Sequence, residues 1–283
     1  MSSHILLVDC PDQRGLVHAI TGVLLRHGCN VLSNHEFVDH EQARFFMRTE
    51  FDGAIAPAAV EAELAAVLPA GTAVKLYDRS RPRIVVLATK EHHCLAELLV
   101  RHAFGELGAE LVAVVSNYDL LAELTGKFGV PYHHVSHDGP SKEGLSREQH
   151  EAALFEQVDR YQPDFIVLAK YMRVLTPAAV ARYPFRLINI HHSFLPAFVG
   201  ASPYRQAWQR GVKIIGATAH FVTNDLDEGP IIAQNVIPVD HSHSPEDMAQ
   251  AGRDVEKIVL AKALKLVFER RVLLNGNRTI IFE

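Results

Sequence analysis

Residues 187–196 read Leu-Ile-Asn-Ile-His-His-Ser-Phe-Leu-Pro, an apolar run that carries polar side chains toward its end. A short apolar run of this kind is typical of a buried strand in a parallel sheet. Asn189 and His191 are two residues apart, so in a strand their side chains leave the same face. Open α/β sheets bind ligands at the carboxyl ends of their strands, so this segment is predicted to face a site.

A second polar segment, residues 220–230, reads His-Phe-Val-Thr-Asn-Asp-Leu-Asp-Glu-Gly-Pro, a strand that gives way to an acidic loop. An amide, an imidazole and a carboxylate together suit attack on a carbonyl group. Asn189 and His191 can hold an oxyanion, and Asp227 can orient water and move protons. Taken alone, however, the first two also fit a strand end that binds loop amides, and Asp227 also fits a turn. Spacing does not bring the three side chains together.

From residue 83 onward, apolar strands alternate with amphipathic helices, which predicts an α/β domain with a mainly parallel sheet covered on both faces. Two later strands, 214–222 and 231–239, are compatible with antiparallel pairing. A long helix over 245–271 then precedes a hairpin signalled by Asn275-Gly276. The strands of the parallel sheet are predicted at 83–89, 111–116, 130–135, 164–169 and 187–190, and its helices near 93–105, 119–128, 146–162 and 177–183.

The amino-terminal residues follow a different pattern, strand-helix-strand-strand-helix-strand, which predicts a ferredoxin-like βαββαβ module. Asp12 is a candidate cap for the first helix, and Pro57 lies in the first turn of the second. The polar stretch 78–82 is the predicted linker. We therefore expect domains at 1–80 and 81–283. The strands of the module are predicted at 4–9, 29–38, 43–51 and 72–77.

Composition excludes several classes of protein. The 283 residues carry a net charge of -5, which argues against a nucleic-acid binder because such proteins need a basic face. No stretch approaches the ~20 apolar residues of a membrane helix, and residues 1–9 lack the features of a secretory leader. Three cysteines without a C-x-x-C pair indicate a reducing compartment. We therefore expect a cytoplasmic protein with neither nucleic acid nor membrane as its partner.

Histidine is abundant, with 17 residues, and raises the question of a metal site. None of the clusters fits H-E-x-x-H, and none combines with cysteine or carboxylate at zinc-finger spacing. Scattered surface and loop histidines account for the number, so no metal site is predicted. The clusters are His92-His93, His133-His134 with His137, His191-His192, and His241 with His243.

These motifs closely resemble the folate-dependent formyltransferase family. Its asparagine-x-histidine signature is similar to Asn189-Ile190-His191, and its catalytic aspartate, in a loop that starts with histidine, is similar to Asp227. Residues 168–175 resemble its folate-binding segment, and 197–201 resemble a mobile loop beside its site. The resemblance implies a Rossmann-like sheet and Asn189, His191 and Asp227 as catalytic residues. It also implies that folate is bound by Met172, Arg173, Val174, Leu175, Val222 and Gly229.

Three features favour hydrolysis over transfer within that family. Residues 88–95 contain no glycine and include Glu91, so they do not fit the glycine-rich turn that binds an acceptor's phosphate in the purine-pathway transferase. His192 replaces the proline usual in transferases. In addition, residues 11–16, 34–40 and 45–48 are similar to the ACT domain of hydrolytic family members.

The resemblance therefore implies hydrolysis of 10-formyltetrahydrofolate to tetrahydrofolate and formate, which supplies one-carbon and purine metabolism. It implies no tightly bound cofactor, an amino-acid effector or a pairing role for the ACT unit, and a homo-oligomer. Two alternatives stay open at this point: a formyltransferase that acts on an amine acceptor, and a non-catalytic amino-acid sensor.

Overall fold

The computed structural model describes residues 3–138, 145–197 and 203–283. The chain forms two compact units. The first comprises Met1–Ser80, Arg270–Asn275 and Ile280–Glu283, and the second comprises Arg81–Glu269 and Gly276–Thr279. The segment predicted to be a mobile loop, 197–201, lies outside the described residues except for Ala197.

The first unit has the predicted βαββαβ order, and its four strands pair antiparallel in the order β2-β3-β1-β4. The predicted cap of α1 at Asp12 is wrong. The helix starts at Leu16 after Gly15, whose φ of 89° turns the chain in the left-handed region and leaves no side-chain cap. The elements are β1 (Ser3–Pro11), α1 (Leu16–Arg26), β2 (Asn30–Asp39), β3 (Arg44–Asp52), α2 (Pro57–Val67) and β4 (Ala73–Asp78).

The second unit contains the predicted alternation of strands and helices. One helix, α7, was not predicted from the sequence. The strands are β5 (Arg83–Ala88), β6 (Glu110–Ser116), β7 (Tyr132–His134), β8 (Phe165–Ala169), β9 (Leu187–His191), β10 (Ile214–Phe221) and β11 (Ile231–Pro238). The helices are α3 (His93–Ala103), α4 (Ala122–Gly126), α5 (Arg147–Asp159), α6 (Pro177–Arg182), α7 (Pro203–Arg210) and α8 (Pro245–Phe268).

The seven strands of the second unit lie in the order β11-β10-β9-β8-β5-β6-β7. Strands β5 to β9 pair in parallel, and β10 runs antiparallel to both of its neighbours, as its sequence allowed. The order reverses at β5, because β6 lies on one side of it and β8 on the other. In open α/β sheets, this reversal marks the crevice where ligands bind.

Both faces of the central strand β1 in the first unit are buried. Leu6 and Val8 pack with residues of α1 and α2, including Ile20 and Leu64. The alternate side chains of β1 point to the opposite face, where Ile5 and Leu7 pack with Phe46, Leu273 and Phe282. Leu273 lies in β12 (Val272–Asn275) of the carboxyl-terminal hairpin, and Phe282 directly follows its second strand, β13 (Arg278–Ile281). Within the described ranges, no helix has both the length and the apolar character needed to cross a membrane.

Candidate active site

Asn189 and His220 are direct cross-strand partners, because β9 and β10 pair antiparallel in that register. Nδ2 of Asn189 lies 3.2 Å from Nε2 of His220, and Nδ1 of His220 lies 2.9 Å from the carbonyl oxygen of Phe221. A carbonyl oxygen only accepts hydrogen bonds, so Nδ1 carries the proton and Nε2 of the neutral ring accepts from Asn189. Burial lowers the pKa of His220, which favours this neutral form.

The predicted residues His191 and Asp227 are in contact. Nδ1 of His191 lies 3.3 Å from Oδ2 of Asp227, and the other carboxylate oxygen lies 3.7 Å from Nε2 of His220. Burial raises the pKa of Asp227, but the hydrogen bond and the charge of His191 outweigh it, so the pKa is lowered. The carboxylate is therefore ionised at neutral pH beside an imidazole that it can stabilise as the cation.

Nε2 of His191 is buried and has no hydrogen-bond partner among the described residues. A buried polar atom of this kind needs a partner, and a substrate oxygen is suited to the role. The His192 ring stacks on the His191 ring, with 4.9 Å between centroids. Burial, followed by the charges of Lys170 and His191, lowers the pKa of His192 to about 4. His192 is therefore neutral beside His191 at neutral pH.

These side chains line a cavity of about 490 Å³, a size typical of small-molecule sites. The predicted residues Asn189, His191 and Asp227 all lie in its wall, together with five of the six predicted folate-binding residues, Met172, Arg173, Val174, Leu175 and Val222. The sixth, Gly229, is not part of the lining. A Cβ at Gly229 would lie 1.8 Å from the carbonyl oxygen of Phe221, so glycine is required where the loop after Asp227 rejoins β10.

A buried polar cluster, which we call the Glu256 cluster, adjoins this lining through Lys170. It consists of Glu256, Lys170, His93 and Tyr204. Glu256 on α8 has 0% of its surface exposed. Oε2 of Glu256 lies 3.1 Å from Nζ of Lys170 and 2.7 Å from Nε2 of His93, and the Tyr204 hydroxyl donates to Oε1 at 2.7 Å. Sequence reasoning missed this cluster, because its members are up to 163 residues apart along the chain.

Although burial raises the pKa of Glu256, its contacts to His93 and Lys170 outweigh that effect and lower the pKa to about 2. His93, Cys94 and Glu256 also bring possible metal-ligand atoms within 4.8 Å of one another. Two features oppose a metal cation there. The Lys170 ammonium already lies against the carboxylate, and burial raises the pKa of the Cys94 thiol, which disfavours the thiolate that would bind a metal.

Comparison with known proteins identifies two families along the chain. The formyl transferase model matches residues 82–264, and the ACT domain model matches residues 4–69. The formyltetrahydrofolate deformylase of Escherichia coli O6:H1 is 54% identical over 277 residues, which are 98% of this chain and 97% of the relative.

The chain belongs to the formyltetrahydrofolate deformylase family. A solved structure of a formyltetrahydrofolate deformylase from Burkholderia mallei superimposes with a TM-score of 0.91 and 44% identity over all of both chains. A glycinamide ribonucleotide transformylase from Symbiobacterium toebii is also similar, with a TM-score of 0.68 and 33% identity over 74% of this chain and 98% of that one. The deformylase family and this transformylase therefore share an architecture. The choice between water and an amine as the nucleophile must then depend on the residues of the site.

Proposed function

We propose that this chain hydrolyses 10-formyltetrahydrofolate to tetrahydrofolate and formate. The observation that carries the proposal is the placement of Asn189, His191 and Asp227 in the wall of one cavity. Full-length similarity to formyltetrahydrofolate deformylases supports the same reaction. The geometry also argues against a pure amino-acid sensor, because a sensor has no need of an ionised carboxylate paired with a buried imidazole in the second unit.

In the proposed reaction, water attacks the formyl carbon and the formyl oxygen becomes an oxyanion. The Asn189 amide, one of whose hydrogens is bound by His220, has a second hydrogen for that oxygen. His191 donates through Nε2, and its cation is stabilised by Asp227 at Nδ1. Asp227 orients the water and accepts its proton, directly or through solvent. The bond from carbon to N10 then breaks, N10 takes up a proton, and formate and tetrahydrofolate leave.

Folate binding is proposed in this cavity, at the lining residues Met172, Arg173, Val174, Leu175 and Val222. The side chains of Met172 and Val174 are exposed by 59% and 52%, so apolar surface is available for a ring system. Gly229 contributes indirectly, since it allows the acidic loop to close onto β10. The proposed chemistry needs only side chains and water, and we propose that no tightly bound cofactor takes part.

The remaining parts of the proposal concern the setting of the enzyme. Its formate is proposed to supply one-carbon and purine metabolism. The ACT unit is proposed to bind an amino-acid effector or to pair with a second copy in a homo-oligomer. Cys10, Cys29 and Cys94 are all buried and free, which supports the proposed cytoplasmic placement.

Incubation of the purified protein with 10-formyltetrahydrofolate, without an amine and with a chelator present, tests the proposal. We expect formate and tetrahydrofolate in equal amounts, and glycinamide ribonucleotide should yield no formylated amine when it is added. Formate that appears only with an amine present would support the transferase alternative. No turnover under any of these conditions would support the sensor.

A further inference from the structure

The Glu256 cluster lies where this fold binds ligands. Strands β5 and β8 are neighbours, and the chain leaves their carboxyl ends in opposite directions along the sheet. Thr89 follows β5 and Lys170 follows β8, and the Thr89 hydroxyl donates to the Lys170 carbonyl oxygen at 2.7 Å. This is the crevice in which an open α/β sheet ordinarily holds a ligand.

Protein side chains fill this crevice. Lys170 is only 8% exposed, and its ammonium lies against the buried Glu256 carboxylate. His93 comes from the first turn of α3, and Tyr204 comes from α7. A Cβ at Gly252 of α8 would lie 2.1 Å from the Tyr204 hydroxyl oxygen, so the glycine leaves the room that Tyr204 needs. The carboxylate thus has three internal partners and needs no ligand.

The backbone of Lys170 adopts a φ of 62°, in the left-handed region that favours glycine. A lysine at this position is strained, and such strain is maintained only where the surrounding contacts hold it. The contacts here are the ion pair with Glu256 and the hydrogen bond from Thr89. The Lys170 side chain is therefore held in the crevice although its backbone is strained. This indicates that the bulk and charge of the side chain have a role there.

The cluster adjoins the catalytic pair. Lys170 lines the same cavity as His191 and His192. The Tyr204 ring lies 6.4 Å from the His192 ring, which in turn stacks on His191. An amine that attacked the formyl carbon would need room beside these rings for the rest of its molecule, whereas water needs almost none.

We propose that Lys170 is a specificity-determining residue, whose side chain, anchored by Glu256, occupies the space that an amine acceptor would need and so reserves the formyl group for water. The inference rests on the proposed hydrolysis. In the reaction that Lys170 prevents, the amine nitrogen would bond to the formyl carbon and lose a proton. The bond from that carbon to N10 would break, and N10 would gain a proton.

Two replacements of Lys170 separate the effect of its bulk from that of its charge. Lys170→Gly removes the side chain and suits the left-handed backbone, whereas Lys170→Met keeps the bulk without the charge and is the matched control. Each variant is incubated with 10-formyltetrahydrofolate and increasing glycinamide, and formate and formylglycinamide are quantified. We expect Lys170→Gly to form formylglycinamide at least about tenfold faster than the unmodified protein or Lys170→Met, since a cleared pocket changes discrimination by this order.

Several outcomes would overturn the role of Lys170. The first is a Lys170→Gly variant that forms only formate at every glycinamide concentration. The second is a Lys170→Gly variant that forms neither formate nor formylglycinamide. The third is a Lys170→Met variant that forms formylglycinamide as fast as Lys170→Gly does. Lys170→Ala repeats the test if the glycine variant is unfolded by circular dichroism. The unmodified protein provides a further test that requires no variant. If it forms formylglycinamide, the proposed role of Lys170 is also overturned. Formate release without amine tests the proposed hydrolysis separately.

Discussion

Nδ2 of Asn189 lies 3.2 Å from Nε2 of His220, a residue placed directly opposite it on the neighbouring antiparallel strand. Because Nδ1 of His220 donates to the carbonyl oxygen of Phe221, Nε2 is left as an acceptor and fixes which end of the Asn189 amide faces it. His220 is 2% exposed and its pKa is lowered by burial, so this arrangement persists at neutral pH. His220 is thus a positioning residue for the proposed oxyanion donor.

Replacing His220 with Phe keeps a ring but removes the acceptor, so the Asn189 amide is free to rotate. We expect kcat to fall by about tenfold or more, with KM changed far less, because the loss falls on the transition state. His220→Gln, which offers an acceptor oxygen, should recover part of the rate. His134→Asn, at an exposed position in the same unit, is the control. A His220→Phe variant with unchanged kcat would show that Asn189 needs no such partner.

Removal of the proposed oxyanion donors gives a second prediction. Asn189→Ala and His191→Ala should each reduce turnover by ~10²–10³, the usual cost of one oxyanion donor. Their combined effect should be smaller than the product of the two, because both groups act on one transition state. Steady-state kinetics of the single and double variants measures this. Fully multiplicative losses would mean that the two side chains act independently.

The sequence predicted most of the elements to within two or three residues, because apolar periodicity and turn residues are local signals. It also placed Asn189 and His191 on one face of a strand. The contact between Asn189 and His220 depends on strand register, which is a tertiary property. The sequence suggested antiparallel pairing only for the strands 214–222 and 231–239, so it gave no signal that 187–190 would pair with 214–222 and bring Asn189 to His220.

Other features had no local signal. The link between Lys170 and Glu256 depends on how α8 packs against the sheet, and the left-handed φ of Lys170 contradicts the preference of lysine. Helix α7, Pro203–Arg210, was not predicted from the sequence. The carboxyl-terminal hairpin was predicted, but nothing local indicates that Leu273 and Phe282 pack in the first unit.

The lowered pKa of His192 makes stability depend on pH. The pKa is about 4 in the folded protein and 6.5 as the reference value, so the unfolded chain takes up a proton first as pH falls. Stability is therefore unaffected by His192 above pH 6.5 and declines as pH falls toward 4, by up to about 3 kcal/mol. Urea unfolding between pH 7 and pH 4.5 measures the decline. His192→Phe keeps the stacked ring but cannot titrate, so its free energy of unfolding should decline less steeply as pH falls. An equally steep decline in both proteins would contradict the lowered pKa of His192.

The carboxyl-terminal hairpin should stabilise the first unit. Leu273 is 7% exposed and packs with Ile5, Leu7 and Phe46. Leu273→Ala should lower the free energy of unfolding by ~2–5 kcal/mol, the range for a buried leucine. Leu25→Ala, at a position 74% exposed in the same unit, is the control and should change it by less than about 0.5 kcal/mol. Equal effects in the two variants would show that Leu273 does not contribute to that core.

The most direct test of the central claim is a single turnover of 10-formyltetrahydrofolate in oxygen-18 water, without amine and with a chelator present. Water is the proposed nucleophile, so the formate should carry one atom of oxygen-18, as measured by mass spectrometry. Asp227→Asn should slow this step by ~10²–10⁴, the usual contribution of a general base, and should still bind tetrahydrofolate. Glu228→Gln, at the neighbouring exposed position, should retain the rate of the unmodified protein. Formate without the heavy oxygen, or an Asp227→Asn variant as fast as the unmodified protein, would contradict the account.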